Sequence, residues 1–327
     1  MINLGEGADR LQTQRVVAQV TFFVVFALAP VVDLFRLDLV AGHALIFGME
    51  WRLGIDDFLA HRIGAGEMAA NLFLRLFLPI AAGAGLFLLV AWRWGRLYCG
   101  WLCPHFAVVE TINDLMRRAT GRPSLWERQP LPARHPDGRS IPQGRHWWFA
   151  VVPAAFLIGF AWAVVLLTYL LPPAEVYGNL AALSPTYRQS LFIAIATLAF
   201  AAEFLFARHL FCRFGCAVGV FQSLVWMANR RAMVVGFDRA RAADCADCYA
   251  ADGPGHAVCE GVCPMRLRPR LAKHKMFTCT QCGQCLTACA TVEQQRGRMP
   301  LLAWIDGEVA RQQEAPVSLT GRREGEV

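Results

Sequence analysis

Four apolar runs, Val16–Phe35, Ala70–Trp92, Trp147–Leu171 and Ser190–Phe211, constrain this chain more than any other feature. Each reaches the roughly 20 residues that carry a helix across the hydrocarbon core of a bilayer, where a backbone must satisfy its own hydrogen bonds. No comparable run follows Phe211. With 56% hydrophobic and 17% charged residues, the chain needs lipid as part of its solvent. A cleavable leader is the competing reading of the first run, but the run lacks a small-residue cleavage site and leads into Asp33 and Arg36.

Loop charges orient the spans, because Lys and Arg in short loops stay on the cytoplasmic side. The segment from Arg93 to Arg145 carries nine Arg, whereas Pro172–Gln189 has only Arg188 and the Arg36–Ala69 loop sets three Arg against five acids. The latter two loops are expected outside and both chain ends in the cytoplasm, which places the protein in a bacterial cytoplasmic membrane. The net charge of +7 is then explained by Arg beside anionic membrane lipids, without nucleic acid as a partner.

Twelve cysteines on the reducing side argue for metal ligation rather than disulfides. Cys279, Cys282, Cys285 and Cys289 follow C-x2-C-x2-C-x3-C, the spacing that wraps three thiolates round one [4Fe–4S] cube and sends the fourth to a neighbour. Upstream, Cys245, Cys248, Cys259 and Cys263-Pro264 repeat the set with an insertion, Tyr249–Val258. Cross-ligation assigns Cys245, Cys248, Cys259 and Cys289 to one cluster and Cys279, Cys282, Cys285 and Cys263 to the other. Structural zinc also takes four thiolates, but zinc knuckles do not use the triple run. Gly283 and Pro264 suit the tight reversals of a small α+β ferredoxin fold that its clusters hold together.

The other four cysteines form two C-x3-C pairs, Cys99/Cys103-Pro104 and Cys212/Cys216, each at the inner end of an outside-to-inside span. Arg117-Arg118 and Arg230-Arg231 follow them at nearly equal distance, so two repeated helix hairpins, offset by 113 residues, are expected. A continuous helix and an irregular turn are both open for each pair. The stretches Phe106–Arg118 and Val218–Arg231 read as helices along the inner headgroup layer. The thiol quartet has three readings: a redox or copper-like soft-metal site, a further iron–sulfur cluster, or inert core. His105 and His209 are close enough in sequence to join it. Asp33 and Arg75 are expected to pair near the outer face, and Glu203 to find Arg208 or Arg96.

Taken in order, Leu45–Gly48 with Asp57-Phe58, Gly95–Pro104, Phe221-Gln222-Ser223 and the eight-cysteine run resemble the FixG/RdxA/CcoG family of membrane polyferredoxins. The resemblance covers roughly residues 15–292. It implies an accessory protein for cbb-type cytochrome oxidase. The wider group, with NapH, MauN and NosR, shares the C-x3-C-P motifs and implies transfer from quinol to a respiratory or maturation pathway. Ala217 and Ala290 stand where the family has Pro, and the chain reaches Val327 without the family's further span and periplasmic domain, which reads as a shortened member.

The expected architecture is therefore an all-α polytopic membrane domain of four transmembrane helices plus a bacterial-type 2[4Fe–4S] ferredoxin domain. Residues 1–15 form a cytoplasmic N-terminus, 16–235 the membrane domain, 236–295 the ferredoxin and 296–327 a charged, flexible tail. The expected function is iron–sulfur electron transfer that reduces Cu(II) to Cu(I) at Cys99, Cys103, Cys212 and Cys216, with electrons from a cytoplasmic donor. Its alternatives are a quinol dehydrogenase component, with a quinone held near Trp101 and Phe106, and a non-redox scaffold or metal sensor.

Overall fold

The computed structural model describes residues 4–122, 125–126, 130–207, 209–245, 248, 257–271 and 273–318. Four helices are long and apolar enough to cross a membrane: Arg10–Leu28, Ala65–Trp94, Arg145–Thr168 and Tyr187–Ala207. The chain divides into two compact units, Thr21–Leu88 with Val152–Leu205, and Met1–Val20 with Leu89–Val151 and Phe206–Val327.

In the first of these units, α1 (Leu4–Leu28) stops just before Pro30, whose ring cannot continue a helix. Three short strands follow, β1 (Phe35–Asp38), β2 (His43–Ile46) and β3 (Met49–Trp51), all antiparallel, so this region is not purely α as expected. Phe47 and Gly48, both at positive φ, make the two-residue hairpin between β2 and β3. β1 is held to the end of the third spanning helix by Leu37 N–H to Tyr169 O at 2.9 Å. The expected Asp33–Arg75 pair does not form. Asp33 pairs with Arg36 at 2.5 Å, which also takes Asp38 at 2.8 Å, while Arg75 donates to the Arg52 carbonyl. Nearer neighbours in the chain offered the carboxylate a partner first.

Helices α2 (Ile55–Leu59), α3 (Ala65–Leu72) and α4 (Leu78–Trp94) come next, with a π turn at Phe73–Phe77 inside the second span. α7 (Trp148–Thr168) and α9 (Tyr187–Ala202) approach closely at Gly159, where a Cβ would sit 3.1 Å from the Thr197 carbonyl. Small residues of this kind let helix backbones touch in lipid. Ala163, Val164, Leu167 and Ile193 pack there with Val176 of α8 (Pro173–Ala181). Thr186 and Gln189 close a capping box at the start of α9. Phe77, Leu86, Phe149 and Leu157 remain more than 60% exposed, as side chains that face lipid do.

The second unit begins with the first turns of α1 and includes α5 (Leu97–Trp101) and α6 (Pro104–Thr120). Pro104 occupies the first helical position of α6, where its missing N–H is harmless, and Gly121 at φ +73° ends the helix. Phe106, Val109, Ile112 and Met116 form its buried face, at 1% exposure or less. Each contributes about 1.5–3 kcal/mol by leaving water, so packing rather than propensity fixes this helix. α10 (Ala217–Ala228) follows the second cysteine pair.

The segment after residue 296, expected as a flexible tail, is structured as far as it is described. β5 (Leu302–Asp306) pairs antiparallel with β4 (Met233–Phe237) over five residues, and a helix follows at Gly307–Ser318. The cysteine-rich region is thus flanked by a strand on each side in sequence. Residues 249–256 of the insertion lie outside the described residues, as does Arg208.

Candidate metal centres

Two small hollows in the cysteine-rich region are lined by different quartets. One has Cys245, Cys248, Cys259 and Cys289 in its wall with Phe237, Leu301 and Leu302. The other has Cys263, Cys279, Cys282 and Cys285 with Val235, Met265 and Met276. The helix Gln284–Gln295 explains the exchange: Cys289 lies one turn beyond Cys285, about 6 Å along the axis, far enough to reach the neighbouring hollow. Gly283, at φ +73° as the N-cap, turns the loop into that helix, and Gln281 is also left-handed at φ +54°.

Several sulfurs accept N–H groups. Leu267 N–H reaches Cys263 Sγ at 3.4 Å and Leu301 N–H reaches Cys289 Sγ at 3.3 Å. Burial pushes the Cys263 thiol up to about 11 and Cys279 up to about 12. Four deprotonated sulfurs in such surroundings need a positively charged core between them, and iron supplies one. The donor set therefore fits one cube in each hollow. Among the described residues no three His, Cys, Asp or Glu side chains converge as they would on a single metal ion.

At the C-x3-C pairs the backbone is an irregular turn. Cys99 sits in the five-residue α5, while Cys103 caps α6 with extended backbone (φ −65°, ψ 113°), the conformation that a following Pro imposes. Cys212 lies in a π turn, Phe211–Gly215, and Cys216 caps α10 at φ −79°, ψ 106°. Ala217 therefore leaves Cys216 in the same conformation as Cys103. Cys99, Cys103 and Cys216 feel one another electrostatically, and burial raises Cys103 to about 11. Burial also pushes Cys99 up, and the Arg96 guanidinium pulls it back. Cys99 Sγ donates to Gln222 Oε1 at 3.2 Å. His105 stands edge-on to Phe211, with ring centroids 5.4 Å apart.

The first C-x3-C motif touches the cysteine loop directly. A Cβ on Gly100 would press into the Thr280 carbonyl and lie 3.2 Å from Cys282 N. Trp101 Nε1 donates to the Gln281 carbonyl at 3.0 Å, and Gln12 Nε2 reaches the Cys282 carbonyl at 3.3 Å. Arg15 Nε donates to Gly100 O at 2.7 Å and its Nη2 pairs with Glu110, which also accepts from Gln284 at 2.9 Å. Sequence reasoning missed Arg15, Glu110 and Gln281; it named Gly100, Arg96 and Gln222 without these roles. The one available signal was the GWLCP spacing around Gly100.

The family described as a 4Fe-4S binding domain matches residues 76–123 and 189–233. These two segments hold Cys99, Cys103, Cys212 and Cys216 and none of the other eight cysteines. Protein RdxA of Cereibacter sphaeroides is 25% identical over 260 residues, 73% of this chain and 50% of its own length. The chain is thus similar to RdxA over most of its own length. A second relative is the putative electron transport protein YccM of Escherichia coli, 24% identical over 219 residues, 65% of this chain and 55% of YccM. The chain thus spans about half the length of the curated relatives it matches. No solved structure matches it.

Proposed function

We propose that this protein is a membrane-bound iron–sulfur electron carrier that reduces Cu(II) to Cu(I) at the thiols of its C-x3-C pairs, in the service of oxidase copper-centre assembly. The seating of Gly100 on Thr280 and Cys282 carries the reading, because it puts the first thiol pair against the wall of a four-cysteine hollow. When bound by Cys263, Cys279, Cys282 and Cys285 and by Cys245, Cys248, Cys259 and Cys289, two [4Fe–4S] clusters would supply one-electron transfer. Cu(II) needs one electron, and thiolates from Cys99, Cys103, Cys212 and Cys216 favour the Cu(I) product. Trp101 and Phe106, which a quinone pocket would use, are committed elsewhere: Trp101 to Gln281, Phe106 to the core.

The Arg-rich Arg93–Arg145 segment supports the reading that both ends lie on the cytoplasmic side of a bacterial inner membrane. A repeated hairpin is supported by two family matches that begin at 76 and 189, the same 113-residue offset that separates Cys103 from Cys216. An open cleft beside Cys263, with Arg117, His135, Arg139 and Arg266 in its wall, offers a cytoplasmic electron donor its approach.

The test is anaerobic. Protein reduced with dithionite and freed of excess is mixed with Cu(II) or a menaquinone analogue, and cluster absorbance is followed. Fast reoxidation by Cu(II) is expected in the wild type and lost when Cys99, Cys103, Cys212 and Cys216 are all Ser. Quinone-driven reoxidation, with copper indifferent to the four cysteines, would sink the copper reading and favour quinol-linked transfer.

A further inference from the structure

A guanidinium is buried between the two C-x3-C segments. Arg96 is 1% exposed, and its Nη2 donates to the Cys212 carbonyl at 2.5 Å. Its Nε and Nη1 are buried without partners of their own, while the guanidinium as a whole bonds the Cys99 sulfur beside it. Gly219 is shaped round it, since any Cβ there would overlap the guanidinium. The same charge reaches Cys279. Among the described residues Arg96 makes no salt bridge.

Arg266 also acts on Cys263, while three further cations near the cysteines are paired with acids. Arg15, near Cys282, pairs with Glu110. At the hollow of Cys245, Cys248, Cys259 and Cys289, Arg270 pairs with Glu260 at 2.6 Å and Glu293 with Arg298 at 2.8 Å. An isolated cation in a dry place is expensive unless something negative is meant to share it. Thiolate-bound iron–sulfur groups are anionic, and become more so on reduction.

We propose that Arg96 is the positioning cation shared by Cys99 and the Cys263/Cys279/Cys282/Cys285 hollow, and that its charge keeps the iron–sulfur group held there reducible despite burial. This rests on the reading that both hollows bind iron–sulfur clusters. One electron reaches this group from the cytoplasmic donor and passes on towards the C-x3-C thiols; no bond forms or breaks, and no proton is required. Without Arg96, burial alone would oppose the added negative charge, and the electron would stop one step short of the C-x3-C thiols.

The experiment is an anaerobic redox titration of the full chain in detergent, followed by electron paramagnetic resonance, with iron content measured in parallel. Cys245→Ser in the background identifies the signal of the second hollow. Arg96→Gln should lower that midpoint alone, so that at the wild-type midpoint the reduced-to-oxidised ratio falls at least tenfold, about 59 mV for one electron. Arg96→Lys should restore most of it. If Arg96→Gln fails to hold iron, Gly219→Ala, which displaces the guanidinium and keeps its charge, must still move this one midpoint. Unchanged midpoints at full iron content, or equal shifts of both signals, overturn the inference and leave the electron-carrier reading standing. A wild-type protein that binds no iron–sulfur cluster overturns both.

Discussion

Replacing Gly100 with Ala adds one methyl group where there is no room for it. The obstacles are backbone atoms, the Thr280 carbonyl and the Cys282 amide, which cannot rotate aside as a side chain would. Overpacking of this kind costs about 1–3 kcal/mol. Separation of the two segments also strains the Arg15 bond to Gly100 O, a charged hydrogen bond worth about 1.5–3 kcal/mol, and the Trp101 bond to Gln281 O, worth about 1 kcal/mol. With these partly lost, the seating should weaken by about 2–4 kcal/mol. At about 1.4 kcal/mol per factor of ten, local opening rises about 30-fold to about 700-fold. Hydrogen exchange read by mass spectrometry on peptides covering 277–285 should report that acceleration. Gly83→Ala is the control, because nothing lies within 4 Å of a Cβ at Gly83. Exchange in Gly100→Ala within threefold of the wild type would refute the claim that this contact holds the loop.

Cross-ligation has its own test in iron content. Cys263→Ser combined with Cys282→Ser strikes one hollow twice and should remove about four of about eight irons, whereas Cys263→Ser with Cys245→Ser should remove nearly all. The reverse pattern, with Cys263→Ser/Cys282→Ser losing nearly all the iron and Cys263→Ser/Cys245→Ser about half, would mean that each cysteine run binds its own cluster. Lys273 supplies a pH prediction: burial lowers its pKa from 10.5 to about 8, with its Nζ held by the Trp226 and Asn229 carbonyls. Between those values the unfolded chain keeps a proton that the folded chain has released, so stability should rise from pH 8 to 10.5 and be flat below 8. Lys273→Met should flatten that rise in thermal unfolding; the thiols titrate in both chains, so the difference between them isolates the lysine.

The parts legible in the sequence are those whose constraint is local. A span needs about twenty consecutive apolar residues and a ferredoxin run needs fixed spacing, so both can be read in one pass along the chain. Pro104 likewise announces the extended backbone at Cys103. Meaning that depends on a distant partner was not legible. Gly100 reads as a turn glycine until Thr280 is placed against it, and Arg96 as a partner for Glu203 until Cys212 and Gly219 close round it. Charge in the last thirty residues suggested a loose tail because the alternating pattern Leu302–Asp306 is short and gains its value only from pairing with β4, some seventy residues earlier. The Asp33–Arg75 expectation failed because depth in a membrane was used as a proxy for contact, while Arg36 was three residues away.

The pairing of β5 with β4 also orders events during synthesis. β4 leaves the ribosome before any of the eight ferredoxin-type cysteines, and β5 leaves after all of them, so the clasp can close only on a chain that already carries every one of those thiols. A nascent chain therefore spends the translation of some sixty-five residues with its β4 edge unpaired. A message truncated between the codons for Cys289 and Leu302 would yield a protein with all twelve cysteines and no clasp, fit for quality control rather than for electron transfer.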